Sequence, residues 1–523
     1  MRVLLVYPPY AFEEYPMPPL SLGYLASSLL AHGIEVEILD LLTSKDSAAK
    51  IRHRLQQYQP QIVGTTCATM SFPAAARILK VCKGFNPGLI TIIGGPHSSF
   101  AIEDTFRRAP WIDVVAVGEG DRSVVELVSA LYRGADLGQV PGIAFHQNGK
   151  IVKTASRPLI QQLDELPFPA RHLLPFSRYQ ALGAPCSVIS SRGCPYGCIF
   201  CSAPRVFGRK VRFRQPRLVV DEMELIHRDL GFNKINIVDD TFTLNHRHTT
   251  ELCHELLRRN LPIEWTAYSR VDTLNRELLE SMREAGCTFL VFGIESGSQE
   301  VLNTIKKGIT LEEIRTAAKL TSAAGIKSFA SFILGLPGET PEAANRTLAL
   351  ARELFETYGI QYGFHFLSPF PGTEVYEEAD RFGIRILTQN WARYNANEPI
   401  TATSADDLVT AKKIVADYDQ DIAGAWKEIK RRADTGDKAS IESLQVRRTG
   451  EFVWKILKGD IIESLGIMKG IGNPDQAEDK LVQLVSQKLG TPSDTVRNEL
   501  NRLLQKRLLK LEASHNGLTW HWA

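Results

Sequence analysis

At 523 residues the chain is too long for one ordinary domain and suits two to four. It is 44% hydrophobic and 23% charged with a formal net charge of +2, which provides for buried cores and shows no bias toward nucleic acid or an acidic membrane. The first apolar run stops at Pro8-Pro9 and no stretch of about 18 apolar residues follows, so a cytoplasmic, soluble protein without signal peptide or membrane span is expected.

Residues 1–145 alternate strand-like and helix-like patterns. The strand-like runs are 3–7, 36–39, 62–66, 90–95 and 114–118, with helical periodicity at 20–32, to 59, at 74–83 and at 123–132. Short buried strands separated by helices predict an α/β fold with a parallel, doubly wound sheet. Gly and Thr residues fall at the strands' carboxyl ends, where such sheets bind ligands.

A connector is expected at 146–185, from the scattered prolines Pro158, Pro167, Pro169, Pro175 and Pro185. From 186 to 385 alternation resumes, with strands at 187–190, 234–238, 264–268, 288–292, 327–333 and 361–366, which suits a partial (β/α)6 barrel. A helical extension is expected over 386–435, ending in the basic stretch 427–432, which reads as a solvated helix face. Residues 436–523 read as a small winged-helix-like unit: a strand at 441–446, helices at 452–458, 475–489 and 492–506, and a last strand at 508–511.

Of eight cysteines, five are scattered and three are bunched as Cys194, Cys198 and Cys201, a C-x3-C-x2-C spacing. Thiolates are the usual ligands of iron–sulfur clusters, and three of them leave one iron of a cubane open to chelation by a substrate. A zinc site takes four ligands, typically as two separated pairs, and no second C-x2-C occurs.

This motif, with Phe200 before its last cysteine and following the first strand of the second unit, resembles the radical S-adenosylmethionine (SAM) superfamily. The resemblance implies a 4Fe-4S cluster, held by Cys194, Cys198 and Cys201, that cleaves SAM to a 5′-deoxyadenosyl radical. It also implies SAM contacts at successive strand ends: Asp239 and Asp240, Ser269 and Arg270, Glu295 and Ser296, and Gly335. An electron donor such as flavodoxin or ferredoxin is implied as a partner.

The first domain resembles the cobalamin-binding domain of the cobalamin-dependent radical SAM subclass. The matching positions are Pro9, Ser21, Thr65, Thr66, Gly94, Gly95, Pro96, His97, Gly118, Glu119 and Gly120. Gly94-Gly95 lets backbone approach a bulky ligand, the threonines can hydrogen-bond its nucleotide tail, and the loop carrying Met70 is expected below the corrin. A dinucleotide site would show G-x-G-x-x-G after the first strand, where Tyr7-Pro8-Pro9 stands instead. The D-x-H-x-x-G motif that supplies a cobalt-ligating histidine is absent, so cobalamin without a protein histidine on cobalt is implied.

Residues 447–459 and the helices after them resemble the PqqD-like winged-helix domain, which implies a peptide as one substrate class beside a small molecule. Lys and Arg are not concentrated on one predicted helix, so nucleic acid is not expected as a partner. Taken together, the resemblance implies a cobalamin-dependent radical SAM methyltransferase that methylates an unactivated carbon by way of methylcobalamin and the radical. The alternatives are an oxidative cyclase or rearrangement enzyme with the same cofactors, and a cobalamin-binding sensor.

Overall fold

The computed structural model describes residues 1–10, 16–514 and 517–523. The first unit is a seven-stranded sheet of β1 (Arg2–Tyr7), β2 (Glu35–Asp40), β3 (Ile62–Thr66), β4 (Ile90–Gly94), β5 (Val114–Ala116), β6 (Ile143–Gln147) and β7 (Lys150–Lys153), in the order β2-β1-β3-β4-β5-β6-β7. The first five pair in parallel, and β6 and β7 add antiparallel. The helices are α1 (Leu20–Ala31), α2 (Ala48–Tyr58), α3 (Phe72–Phe85), α4 (Pro96–Phe100), α5 (Ile102–Arg108) and α6 (Gly120–Arg133).

Strand residues alternate between two faces, and so do the cores. Val3, Leu5, Ile62, Ile92 and Val114 pack with Leu22, Leu29, Leu127 and Val128 of α1 and α6. Leu4, Val6, Val63, Ile93 and Val115 pack on the other face with Ile51, Leu55, Phe72, Ile78 and Leu79 of α2 and α3. The chain leaves β1 for β2 on one side and returns to β3 on the other, so the reversal that opens a ligand crevice lies at the carboxyl ends of β1 and β3.

The stretch expected to be connector begins differently. Residues 143–153 form a hairpin in the first sheet, because Ile143, Ala144 and Phe145 are apolar enough to continue its core. Only after it does the chain become irregular, up to the short α7 (Phe176–Ala181).

The second unit contains β8 (Cys186–Val188), β9 (Ser191–Arg192), α8 (Ala203–Val206), β10 (Arg212–Phe213), α9 (Pro216–Leu230), β11 (Lys234–Ile237), α10 (His246–Arg259), β12 (Glu264–Ser269), α11 (Arg276–Glu284), β13 (Cys287–Glu295), α12 (Gln299–Thr304), α13 (Leu311–Ala323), β14 (Lys327–Leu334), α14 (Pro341–Tyr358) and β15 (Gln361–Phe366). Six of the strands form one parallel sheet, in the order β15-β14-β13-β12-β11-β8. Residues 191–213, between β9 and β10, form a separate loop standing on a two-residue antiparallel ladder.

After α15 (Glu374–Glu377) come a small hairpin of β16 (Arg385–Ile386) and β17 (Thr401–Ala402), then the long α16 (Ala405–Asp434). The helical extension expected from 386 therefore starts only at 405. The segment before it holds Asn390, Asn395, Asn397 and Pro399, residues that favour turns.

The last unit comprises α17 (Lys438–Lys458), α18 (Ile461–Leu465), β18 (Ile467–Lys469), α19 (Pro474–Leu489), α20 (Ser493–Gln505), β19 (Leu509–Ser514) and β20 (Gly517–Trp522), with sheet order β18-β20-β19. The strand expected at 441–446 is helix. The Asp437 side chain caps α17 by accepting from the Ser440 N–H at 2.9 Å, and Glu, Leu, Gln and Arg favour the helix that follows. Ile441 and Val446 remain exposed and build no sheet face. Among the described residues no helix is long and apolar enough to cross a membrane.

Candidate functional site

A cavity of about 380 Å³ lies between the first two units. Its wall on the first sheet follows the period of two: Leu5, Ile62, Gly64, Thr66, Ile92, Gly94 and Ala116 all line it. The small residues come at the carboxyl ends, so the slot between the sheet and the helices α1 and α6 opens toward the strand ends. Leu22, Leu25, Val124, Leu127 and Val128 supply the helical side, and Ser21, Thr65, Gly95, Pro96, Gly118, Glu119 and Gly120 the rim. From the second unit Ile189, Ser191, Arg192, Val238 and Asp240 complete it.

Gly95 cannot be replaced in this arrangement. Its φ is +99°, and a Cβ there would stand 2.5 Å from the Cys67 carbonyl oxygen. The apolar slot with a polar rim fits the tail of a bulky cofactor, and the cavity continues to Asp240 of the second unit.

Three of the expected cobalamin positions stand elsewhere, because Pro9, Met70 and His97 do not line this cavity. The His97 ring is buried on the opposite face, 4.6 Å from Phe72 and 5.0 Å from Trp391, with Nδ1 3.3 Å from the Thr69 hydroxyl. Burial lowers its pKa to about 4. Met70 lies in the turn Thr69–Ser71, which packs on the turn Trp391–Arg393. Glu119 does line the cavity, yet its carboxylate is held by Arg212 and the Ile160 N–H.

At the other end of the cavity stands the cysteine loop. Gly193 reaches φ +107° where a Cβ would press to 2.9 Å on the Lys210 carbonyl, and Cys194 N–H donates to Gly208 O at 3.1 Å. Ile199 is buried and its N–H donates to Ile305 O at 3.2 Å, which pins the middle of the loop. Cys194, Cys198 and Cys201 are partly buried, whereas the other five cysteines are buried. Burial raises the Cys194 thiol and pushes Cys201 up to about 12, and the three sulfurs and Asp240 repel one another as anions. Such a group is thiolate only when a cation is present to hold it, and iron supplies that charge. Among the described residues no group of three His, Cys, Asp or Glu is arranged to hold a single metal ion, so the fit to a cluster rests on this loop.

Of the six residues in the three adjacent pairs expected to touch SAM, Asp240 lines the cavity and the other five are engaged by partners within the protein. Asp239 is buried, and both its oxygens accept from Ser190 and Ser191, at 2.7 Å from the Ser190 N–H and 2.7 Å from the Ser191 hydroxyl. Its neighbour Asp240 lies on the cavity wall, where enclosure by protein and then the charge of Asp239 raise it to about 6. The Ser269 hydroxyl is bonded to that of Thr243. Arg270 instead stacks on Tyr196 of the cysteine loop, its guanidinium carbon 3.5 Å from the ring centroid, and is braced by Asp272 and the Lys307 carbonyl. Ser296 is fully buried against Thr347 of α14.

Glu295 faces a partner that sequence reasoning missed. It sits at φ +73°, beside a register shift in β13, and the buried Lys307 donates to its Oε1 at 2.8 Å. The Lys307 ammonium is also 5.9 Å from the centroid of Phe200. Nothing in Lys306-Lys307-Gly308 marks one lysine as buried, since lysines in a loop are ordinarily solvated. Replacing Lys307 by Met is expected to cost about 3–5 kcal/mol by leaving Glu295 buried and unpaired. Adding Glu295→Gln is expected to restore most of the melting temperature without restoring SAM cleavage. A single variant that melts like the parent would refute the pairing.

Gly335 has φ +81° and donates to Glu339 Oε2 at 2.5 Å, while Glu339 Oε1 is buried without a hydrogen-bond partner. Burial raises Glu339 from 4.5 to about 7. Because the folded pKa lies above the unfolded one, the folded state is favoured at low pH, and that stability is lost as pH rises through about 7. Glu339→Gln is expected to flatten the pH dependence of unfolding between about pH 5 and 8 by roughly 3 kcal/mol. An unchanged slope would sink this assignment.

Residues 188–351 match the Radical SAM superfamily and residues 13–128 match the B12 binding domain. An uncharacterised methyltransferase of Pyrococcus horikoshii is 37% identical over 406 residues, 76% of this chain and 87% of that protein. An anaerobic magnesium-protoporphyrin IX monomethyl ester cyclase of Rubrivivax gelatinosus is 32% identical, over 78% of this chain and 74% of that one. Among solved structures, the cobalamin-dependent S-adenosylmethionine radical enzyme OxsB superposes with a TM-score of 0.70, at 19% identity, over 97% of this chain and 84% of that one. The radical S-adenosylmethionine methyltransferase TsrM from Kitasatospora setae gives 0.66 at 21% identity, over 79% and 91%.

Proposed function

The chain belongs to the radical SAM superfamily, with a B12-binding domain ahead of its SAM-binding unit, and from that premise we propose a cobalamin-dependent methyltransferase acting on an unactivated carbon. The observation that carries this reading is the cavity, which runs without a break from the slot on the first sheet to Asp240 beside the cysteine loop. With a cofactor tail in the slot, the substrate would sit where the cavity meets Asp240, between the two cofactor sites.

When bound, the cluster and SAM supply a radical that removes hydrogen from the substrate, and the corrin supplies the methyl group. The protein's part is to hold and to orient. Cys194, Cys198 and Cys201 would hold the cluster, which with three protein ligands could also be chelated by SAM. Asp240, as a carboxylate, accepts from the SAM amine, and the Arg270 and Lys307 cations, fixed by Tyr196, Asp272 and Glu295, set the charge around the SAM carboxylate. Gly335 lets backbone pass the adenine. The six parallel strands then form the partial (β/α)6 barrel of the superfamily.

The unit after residue 436 has the helix and strand order of a winged helix, α17-β18-α19-α20-β19-β20 with a short α18 inserted, and both β18 and β19 are sheet edges. An edge strand can accept an added peptide strand, which supports a peptide substrate, with a small molecule as the other class. A flavodoxin or ferredoxin fits the need for a one-electron donor.

The test is anaerobic reconstitution with iron, sulfide and hydroxocobalamin, followed by incubation with methyl-labelled SAM and candidate substrates. A product heavier by one labelled methyl establishes the reading. The likeness to the cyclase favours a second reading, ring formation with the same cofactors, which would give a product of unchanged carbon count.

A further inference from the structure

The cysteine loop and the slot are joined by a buried lattice of charges that the proposed chemistry does not itself use. Arg192 stands on β9, two residues before Cys194, and Arg212 faces it across the ladder on β10. Both reach the N-terminal end of α6, Asp121 in its first turn and Glu119 just before it, at the slot's rim. Arg192 grips Asp121 with both nitrogens, at 2.8 and 3.1 Å. Arg212 grips Glu119 likewise, at 2.8 and 3.0 Å, and Arg192 touches Glu119 again at 3.5 Å. Arg212 further donates to the carbonyls of Ile160 at 2.6 Å and Phe207 at 2.7 Å.

These side chains are nearly sealed: 3% exposed for Arg212 and Glu119, 10% for Arg192 and 6% for Asp121. Buried ion pairs add little net stability compared with apolar packing, but a two-pronged Arg–carboxylate contact fixes direction and distance. A ladder of only two residue pairs gives the loop little rigidity of its own. The lattice ties the loop's base to the rim of the slot.

Building on the two-cofactor reading above, we propose that Arg192, Arg212, Glu119 and Asp121 are positioning residues that set the distance and orientation between the cluster and the corrin. None of them need touch a reacting atom. Radical chemistry shared between two cofactors is sensitive to such placement, since a shift of about 1 Å can cost on the order of 100-fold.

The test uses the full chain loaded with both cofactors and reduced so that cob(II)alamin and the cluster are both paramagnetic. Their spin–spin interaction is read by electron paramagnetic resonance in frozen solution, with iron and cobalt counted in the same samples. In the neutral pair Asp121→Asn/Arg192→Gln, and separately in Glu119→Gln, the interaction is expected to weaken and spread in the molecules that carry both metals, the counted iron and cobalt normalising each sample. Arg192→Lys keeps the charge but loses the fork, and is expected to fall between parent and neutral pair. It decides the matter alone if the neutral pair does not fold. An interaction identical to the parent's in every folded, fully loaded variant overturns the proposal and leaves the function standing. A parent that takes up no corrin overturns the function as well.

Discussion

Cys198→Ala is expected to abolish the cluster and with it all reductant-dependent 5′-deoxyadenosine. Two thiolates cannot replace three around a cubane, and the rest of the loop offers no substitute: Tyr196 is stacked on Arg270, and Phe200 faces Lys307. Iron and sulfide content, the brown charge-transfer absorption and SAM cleavage should fall together to background, while the corrin is still retained. The loop's backbone contacts do not use the thiol, so the variant should melt close to the cluster-free parent. A full iron complement in this variant would remove the assignment on which the function rests.

The second large effect is expected at the other end of the cavity. Gly94 points into the slot, and a Cβ there meets only Ala116 at 3.6 Å, an ordinary contact. The first carbon of a side chain is therefore accommodated, and the remainder extends into the space the cofactor tail would occupy. Gly94→Leu should fold, assemble its cluster and cleave SAM, yet retain almost no cobalamin through gel filtration; Gly94→Ala should retain most of it. Corrin retention equal to the parent's in Gly94→Leu would mean that the tail lies elsewhere. The two variants form a crossed pair, each deleting one cofactor and sparing the other.

What was legible in the sequence was local. The runs around Val3, Ile62 and Ile90 announce strands because each is short, apolar and bounded by turn residues. The cysteine loop declares itself because its ligands lie within eight positions. What failed was whatever depends on facing. Asp239-Asp240, Ser269-Arg270 and Glu295-Ser296 are neighbours in sequence, but successive residues of an extended chain point to opposite sides, so the two members of a motif meet different surroundings. Pairings over long separations were invisible too. Nothing near Arg192 points to Asp121, 71 residues earlier, or near Glu295 to Lys307 across two turns. The 441–446 stretch failed for a third reason: its apolar residues suggest a strand, but the cap at Asp437 and the helix formers around it outweigh them.

The backbone contacts of the cysteine loop have a consequence for the order in which the enzyme is put together. Gly193 lies against Lys210, Cys194 is bonded to Gly208, Ile199 to Ile305, and the serines before the loop to Asp239, all without calling on a sulfur. In small zinc domains the metal supplies the folding energy and the apoprotein is unfolded. Here those contacts can hold the nest without metal, so iron delivery is expected to be a late maturation step on a folded scaffold. Oxygen or a chelator should then strip the iron and leave a refillable protein rather than a denatured one.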